Sequence, residues 1–184
     1  PASRRMVLAV PTSGGKTLIA QVIAVAELAR SDKSVCFVVP TRSLGREVRR
    51  AMSARVRILE KSVAPEKPDF PSWWDALDLS IPDQQPADVE VMTPERLSHL
   101  LRQDSNAVLD RFGMFIFDEA QLLKERGRGF VLESLIASLN VLTADREHRI
   151  ALISAAMGNA GAISQWLSPS QTALVHQSEW RGPR

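Results

Sequence analysis

The sequence has few of the residues that cross-link chains or bind metals. Its single cysteine, Cys36, excludes an internal disulfide. Cys36 lies in the apolar run VCFVVP, where we expect a buried thiol rather than a reactive one. The three histidines, His99, His148 and His176, lack the spacing of metal ligands, which favours surface or core positions. Nothing in the sequence argues for secretion, so we expect a cytoplasmic protein.

Long apolar runs are also absent. The longest, LIAQVIAVAELA, contains Gln21 and Glu27 and is shorter than the ~20 residues that a membrane span needs. A chain of 184 residues suits one domain with a full core, and we expect residues 1–184 to form it. Because the sequence begins with Pro1 rather than Met, we expect an excerpt or a processed product.

The charge balance permits nucleic-acid binding without requiring it. Net charge is +2, and the cations are mostly arginine, which suits phosphate contacts better than lysine does. Arg46, Arg49 and Arg50 share a predicted helix with a face suited to phosphate. A solvated helix face is the favoured alternative for these three residues.

Short apolar runs alternate with helical stretches along the chain. Helices are predicted from Lys16 to about Arg30 and from about Ser43 to Arg55. Strands are predicted at Met6–Val10, Ser34–Val39, Val56–Leu59, Val89–Met92, Met114–Phe117, Ile150–Ser154 and Ala173–His176. Continuous apolar strands between helices indicate a parallel sheet that is buried on both faces. The predicted fold class is therefore α/β, a doubly wound and mainly parallel sheet with helices on both faces.

One segment, Ser62–Ala87, interrupts this alternation. It is rich in Pro and Asp, and we expect a surface excursion at residues 62–87 with a short helix around Ser72–Leu79. The adjacent Trp73 and Trp74 could stack on nucleic-acid bases. The alternative is that they cover a gap in the core.

The segment VPTSGGKT, Val10–Thr17, follows a predicted strand and opens a predicted helix. It fits the pattern G-x-x-x-x-G-K-[ST] except that Val10 occupies the first Gly position. Such loops place backbone N–H groups around phosphates, where Lys16 would supply charge and the Thr17 hydroxyl would ligate Mg²⁺. The alternative is a glycine turn with a helix cap. The predicted ATP-binding residues are Pro11, Thr12, Ser13, Gly14, Gly15, Lys16 and Thr17.

A second motif, MFIFDEAQ, places Asp118 and Glu119 at the carboxyl end of an apolar strand. Open α/β sheets bind their ligands at this edge. Asp118 would hold Mg²⁺ through water, and Glu119 would polarise the attacking water. Acids also favour solvated strand ends and helix N-termini, but the combination with the upstream Gly-Lys-Thr predicts ATP binding and hydrolysis, with ATP and Mg²⁺ as cofactors.

Five segments in this order resemble the first RecA-like domain of superfamily 2 helicases of the DEAD/DEAH type. PTSGGKT is similar to motif I, PTRSL to motif Ia, TPERL to motif Ib, DEAQ to motif II and SAA to motif III. The resemblance implies a RecA-like P-loop domain that acts on DNA or RNA. It also implies a second RecA-like domain, which supplies arginine fingers worth ~10³–10⁵ in rate. Without that domain, we expect weak nucleotide binding and poor hydrolysis.

Finer details resemble the Ski-like branch, which contains both DNA and RNA helicases. They are PTS in the phosphate loop, RGFVLE at Arg128–Glu133, MGNA after motif III, and Trp180-Arg181 near the end of the chain.

Two predicted helix starts are candidates for backbone contacts to nucleic acid. Thr93-Pro94-Glu95 provides an N-cap, a proline at the first position and an acid in the first turn, which suffices for a helix start without any function. Free N–H groups at such a start can also bind phosphate. With the resemblance, we favour binding. The candidates are Pro40, Thr41, Arg42, Thr93, Pro94, Glu95 and Arg96.

The chain departs from the family's pattern at two places. Gln121 stands where members commonly have Asp or His, and Ala156 stands where they commonly have Thr. In the family these positions link hydrolysis to strand separation through hydrogen bonds. Gln121 can donate and accept, whereas Ala156 has no hydroxyl. The coupling residues would be Ser154, Ala155 and Ala156. Our hypothesis is that the protein hydrolyses ATP normally but couples hydrolysis to motion through the contact between Gln121 and Ser154 alone.

Two other functions stay open at this stage. A translocase or remodeller that moves on nucleic acid without separating strands would fit the altered motif III. An interaction scaffold gated by ATP is the other, although the retained Lys16 and Glu119 argue against a site without catalysis.

Overall fold

The computed structural model of the chain describes residues 3–11, 15–65, 87–125, 127–155, 159–168 and 172–176. Within these ranges the chain forms a six-stranded sheet whose neighbouring strands all run parallel. The order across the sheet is β3-β2-β4-β5-β1-β6. The strands are β1 (Arg5–Ala9), β2 (Ser34–Val38), β3 (Val89–Met92), β4 (Phe112–Phe117), β5 (Arg149–Ser154) and β6 (Thr172–His176).

Helices cover both faces of this sheet. They are α1 (Lys16–Leu28), α2 (Arg42–Val56), α3 (Pro94–Gln103), α4 (Ser105–Arg111), α5 (Arg128–Leu142) and α6 (Ala160–Leu167). The first two pack on one face, where Ala24 and Met52 belong to a buried cluster that includes strand residues such as Ile116. The other four pack on the opposite face, around residues such as Leu109 and Ile136. The predicted doubly wound α/β fold is therefore confirmed.

One predicted strand is wrong. Val56 is the last residue of α2, and Arg57–Leu59 form a 3₁₀ turn rather than a strand. The reason is that Val48, Met52 and Val56 are spaced four apart, so all three lie on one helix face and are fully buried. The apolar run at 56–59 therefore includes the end of a helical stripe. The other predicted strands are confirmed, with boundaries that shift by at most two residues.

The predicted surface excursion begins by pairing with the edge of the sheet. Ala64 donates its N–H to the Val89 carbonyl at 2.8 Å, and the Val89 N–H donates to the Ser62 carbonyl at 3.0 Å. Residues 66–86 lie outside the described part of the chain, and so do the predicted helix at 72–79 and the two adjacent tryptophans. Their predicted roles stay predictions.

The amino end of the sheet contains an interior arginine. The Arg5 guanidinium donates to Asn140 Oδ1 at 2.7 Å, to Thr143 Oγ1 at 2.8 Å and to the His148 carbonyl at 3.0 Å. Burial lowers the pKa of the Arg5 guanidinium, and the neighbouring Arg4 lowers it further. These bonds fasten β1 to the end of α5 and to the connection before β5.

Cys36 lies within β2 and is completely buried, as predicted, and burial raises the pKa of its thiol. His148 is also buried, with Nε2 2.7 Å from the Leu109 carbonyl, and burial lowers the pKa of its imidazole. Within the described ranges, no three His, Cys, Asp or Glu side chains are grouped so that they could hold a metal ion. No helix in those ranges is long and apolar enough to cross a membrane.

Candidate nucleotide and nucleic-acid site

The predicted phosphate loop connects the end of β1 to the start of α1. Val10 extends the strand by donating its N–H to the Ser154 carbonyl at 3.2 Å. Gly15 has φ +71°, a left-handed conformation that glycine adopts without a steric penalty. The helix begins at the next residue, Lys16, whose side chain is only 6% exposed. The ammonium group is therefore held inside the site rather than in bulk solvent.

The other predicted loop residues fall into two groups. Pro11 is half-buried before the loop, and Thr17 is exposed in the first turn of α1. Thr12, Ser13 and Gly14 lie outside the described residues. Their contacts with phosphate stay predictions.

Asp118 lies at the carboxyl end of β4, the most buried strand of the sheet. All six residues of that strand are buried, and Asp118 extends its pairing by donating its N–H to the Val38 carbonyl at 3.0 Å. Its carboxylate is buried, and Oδ1 accepts the Glu119 N–H at 2.8 Å. The pKa of Asp118 is raised, chiefly by burial and further by the Glu119 charge, against the opposing effects of that N–H and of Lys16. A cation at this site would relieve the cost of the buried charge.

Glu119 faces the phosphate-loop lysine across the sheet. Its Oε1 lies 3.5 Å from Lys16 Nζ. The Glu119 backbone has φ +56°, a left-handed conformation that is uncommon for a residue with a side chain. The sequence predicts Glu119, Lys16 and Gln121 as catalytic residues, and the structure brings the first two of them together here.

Gln121 connects motif II to the end of β5. It lies in the 3₁₀ turn Ala120–Lys124, and its Oε1 accepts hydrogen bonds from Ser154 Oγ at 2.9 Å and from the Ala155 N–H at 3.0 Å. The predicted contact between Gln121 and Ser154 is thus present, while its role in coupling stays a prediction. Ala156 lies outside the described residues.

The strand order explains why these residues meet. β5 lies between β1 and β4, with Ala9 of β1 opposite Ser154 of β5. Residues that follow three neighbouring parallel strands therefore share one edge of the sheet. Lys16, Asp118 and Ser154 are distant in sequence and adjacent here for this reason.

The two candidate nucleic-acid segments follow β2 and β3 at the same edge. Thr41 caps α2 by accepting the Leu44 N–H at 3.3 Å, and Thr93 caps α3 by accepting the Arg96 N–H at 3.5 Å. Pro94 occupies the first turn of α3, as predicted. The exposed candidates are Thr41, Arg42 and Glu95, whereas Pro40, Thr93, Pro94 and Arg96 are half-buried.

A shallow pocket lies between the starts of α2 and α3 and the carboxyl end of β4. Asp118 contributes to its wall, so the Mg²⁺ candidate and the nucleic-acid candidates border a common space. The lining residues are Val38, Pro40, Pro94, Glu95, Asp118, Leu122 and Leu132. The two leucines could not be predicted as lining residues from the sequence, because apolar residues in a helical pattern give no signal beyond core packing.

The basic helix α2 does not present its three arginines together. Arg46 and Arg50 are exposed, but Arg49 is half-buried and donates to the Val91 carbonyl of β3. Arg49 therefore stabilises the packing of α2 on the sheet. It does not belong to the exposed face suggested by the sequence.

A further contact, which the sequence does not predict, joins Gln121 to Glu119. Gln121 Nε2 donates to Glu119 Oε2, in addition to the bonds that the amide oxygen accepts. Gln121 and Glu119 are two residues apart in the sequence, which indicates that their backbones are close but not that their side chains meet. The direction of the side chains depends on the 3₁₀ turn and on the left-handed Glu119, neither of which the sequence pattern indicates.

Comparisons with known proteins find relatives whose printed names include helicases. The chain is 31% identical over 184 residues to "ATP-dependent DNA helicase Hel308" of Methanocella arvoryzae, an alignment that covers 97% of this chain and 23% of the relative. It is 30% identical over 176 residues to "Hachiman protein HamB" of Bacillus cereus, with 95% and 15% covered. For "Helicase POLQ-like" of Drosophila melanogaster, the identity is 29% over 172 residues, with 90% and 15% covered.

These relatives are much longer than the chain, which spans less than a quarter of each. Residues 2–163 match the protein family described as DEAD/DEAH box helicase. This match includes every segment that carries the resemblance to helicase motifs I to III. The chain belongs to the DEAD/DEAH box helicase family.

Proposed function

We propose that the chain is the ATP-binding and ATP-hydrolysing motor domain of a helicase that translocates on DNA or RNA and unwinds it. The observation that carries this proposal is the meeting of Lys16, Asp118, Glu119 and Gln121 at one edge of the sheet. Both acids follow the buried strand β4, and the lysine begins the helix after β1. This is the arrangement that phosphoryl transfer to water needs: a cation for the phosphates and a carboxylate for the water.

Each residue has a role that follows from its position. The loop from Pro11 to Thr17 surrounds the triphosphate with N–H groups at the start of α1. Lys16 exchanges its contact with Glu119 for the β- and γ-phosphates. Glu119 then accepts a hydrogen bond from the water that attacks the γ-phosphorus. Lys16 Nζ and Glu119 Oε1 lie 3.5 Å apart, so both groups can reach the same γ-phosphate with little rearrangement.

The donor set at this edge fits Mg²⁺. The Asp118 carboxylate and the Thr17 hydroxyl are hard oxygen donors, which magnesium prefers together with phosphate oxygens and water. A bound ion would neutralise charge on the phosphates. The same ion would stabilise the ionised form of the buried Asp118 carboxylate, whose pKa is raised.

Nucleic acid would bind along the starts of α2 and α3. Their capping threonines, Thr41 and Thr93, mark two helix N-termini at the same sheet edge. N–H groups and hydroxyls at such sites contact sugar and phosphate, which gives binding without strong sequence preference. Relatives whose names call them DNA helicases favour DNA as the polymer.

A second RecA-like domain would complete the motor. We propose that ATP closes a cleft between the two domains and that arginine fingers from the second domain reach the γ-phosphate. The contact between Gln121 and Ser154 would link this closure to a movement at the end of β5.

We also propose that the chain belongs to the Ski-like branch, which the stretch Arg128–Glu133 at the start of α5 supports. A phylogeny of the full-length protein checks that placement.

Strand displacement by the full-length protein tests this function. With tailed DNA and RNA duplexes, we expect unwinding of at least one substrate. This unwinding should require ATP and should be lost in Lys16→Ala.

A second candidate function is translocation without strand separation, which the missing hydroxyl at Ala156 favours. ATP-driven displacement of a protein block from single strands, with no duplex opening, would select that candidate. If neither activity is found, the motor proposal fails and a scaffold gated by ATP is the better account.

A further inference from the structure

The orientation of the Gln121 amide is fixed from both ends. The Ala155 N–H can only donate, so the atom that faces it at 3.0 Å must be the amide oxygen. The Glu119 carboxylate faces the other end and, when ionised, can only accept, so the amide nitrogen must lie there. The two constraints agree on one orientation. Ser154 Oγ adds a third contact, 2.9 Å from the same amide oxygen.

The Glu119 carboxylate is held on both of its oxygens. Oε2 accepts from the Gln121 amide, and Oε1 lies 3.5 Å from Lys16 Nζ. The Glu119 backbone is left-handed, with φ +56°, a conformation that a residue with a side chain keeps only where the surroundings enforce it. The neighbouring contacts of its side chain therefore determine where this carboxylate points.

We infer that Gln121 is a positioning residue for Glu119, and that its amide connects the end of β5 to the carboxylate that polarises water. This inference rests on the proposed function of Glu119. It goes beyond the hydrogen bond to Ser154 that the family resemblance implies, because the working end of the side chain is the N–H that faces Glu119. A displacement of Ala155 would move the amide and, with it, Glu119.

The amide itself is required, not just a polar side chain of suitable length. A glutamate at position 121 could still accept from Ser154 and Ala155. However, it has no N–H for Glu119 and would place a second negative charge against it. The acid that many family members have at this place would therefore work poorly in this chain.

The test is steady-state ATP hydrolysis by the full-length protein with saturating nucleic acid. For Gln121→Glu we expect kcat to fall about 10- to 100-fold, which is at or below the lower end of the ~10²–10⁴-fold that a general base contributes, because Glu119 is misplaced rather than removed. The KM for ATP should stay within about threefold, because the loop and Lys16 are unchanged. The matched control is Gln103→Glu at the exposed end of α3, which should leave kcat, KM and the melting temperature unchanged.

A second variant covers the case in which Gln121→Glu fails to fold. Gln121→Met is neutral and of similar length but cannot hold Glu119, so we expect at least a tenfold loss of kcat at constant KM. In a Glu119→Gln background, Gln121→Met should change the residual rate by less than about twofold, because no carboxylate is left to position. A merely structural role would reduce the rate in both backgrounds.

Three results would overturn the inference. They are full kcat in a folded Gln121→Glu or Gln121→Met, a raised KM with unchanged kcat, and a further tenfold loss from Gln121→Met without the Glu119 carboxylate. Failure of the proposed function looks different, because the wild-type protein itself would then hydrolyse no ATP in response to nucleic acid.

Discussion

Removing the charge of Glu119 should strengthen the binding of ADP. Lys16 Nζ lies 3.5 Å from Glu119 Oε1, and the lysine is 6% exposed. In the proposed function this ammonium binds the phosphates, so the carboxylate competes with the nucleotide for it. In Glu119→Gln the competitor is neutral, and the lysine is available to the phosphates at a lower cost.

The size of this effect follows from the distance and the exposure. Two unit charges at this separation attract by about 5 kcal/mol at an effective dielectric constant of about 20. Glu119 is 31% exposed. When the ion pair breaks, its carboxylate is solvated by water and the Lys16 ammonium contacts phosphate, so most of that attraction is compensated. A net ~1 kcal/mol is typical of measured ion pairs with partial exposure. That free energy corresponds to about a fivefold lower Kd for ADP.

The assay is a titration of the full-length protein with a fluorescent ADP analogue in the presence of EDTA, so that neither hydrolysis nor metal binding contributes. Glu133→Gln on the exposed side of α5 is the matched control and should bind like the wild type. An unchanged or weaker affinity in Glu119→Gln would refute the reasoning, since it would mean that the carboxylate does not compete for Lys16.

Three further predictions concern stability and coupling. Because burial raises the pKa of Asp118, the folded state loses stability as pH rises above the unfolded carboxyl's value of about 3.9, so Asp118→Asn should raise the melting temperature at pH 7. This gain should vanish below about pH 4, where the unfolded carboxyl is also protonated, and melting scans against pH check it. Arg5→Met leaves Asn140 and Thr143 without their donor and should lower the free energy of unfolding by about 2–4 kcal/mol in urea titrations, whereas a loss below ~0.5 kcal/mol would contradict the assigned bonds. Ala156→Thr restores a hydroxyl, and we expect more base pairs unwound per ATP; an unchanged ratio would count against coupling through motif III.

The sheet could be predicted from the sequence because its strands are short apolar runs between helices. Phe112–Phe117 and Ile150–Ser154 have no polar interruptions in their interiors, which is typical of parallel strands that are covered on both faces. The run at Val56–Leu59 misled the prediction, since a single apolar residue can end a helical stripe as well as begin a strand. Arg5 was missed at the start of β1 because its hydrogen-bonding partners lie more than a hundred residues away.

The site was predicted in part. Gly15, Lys16 and Asp118 have local patterns that specify a loop and a strand end, and the sheet order brings them together. The contact between Gln121 and Glu119 could not be predicted, because it depends on the left-handed backbone of one residue and on the 3₁₀ turn that follows. The burial of Arg49 is similar, since the carbonyl it contacts belongs to a strand more than forty residues later.

The most direct test of the central claim is the steady-state ATPase rate of the full-length protein, measured alone, with single-stranded DNA and with single-stranded RNA. A Glu119→Gln variant measured in parallel is the control. We predict strong stimulation by at least one polymer and its loss in the variant, which would establish a nucleic-acid motor and identify the polymer on which it moves. A rate that neither polymer changes would contradict the motor and leave an ATP-gated scaffold as the better account.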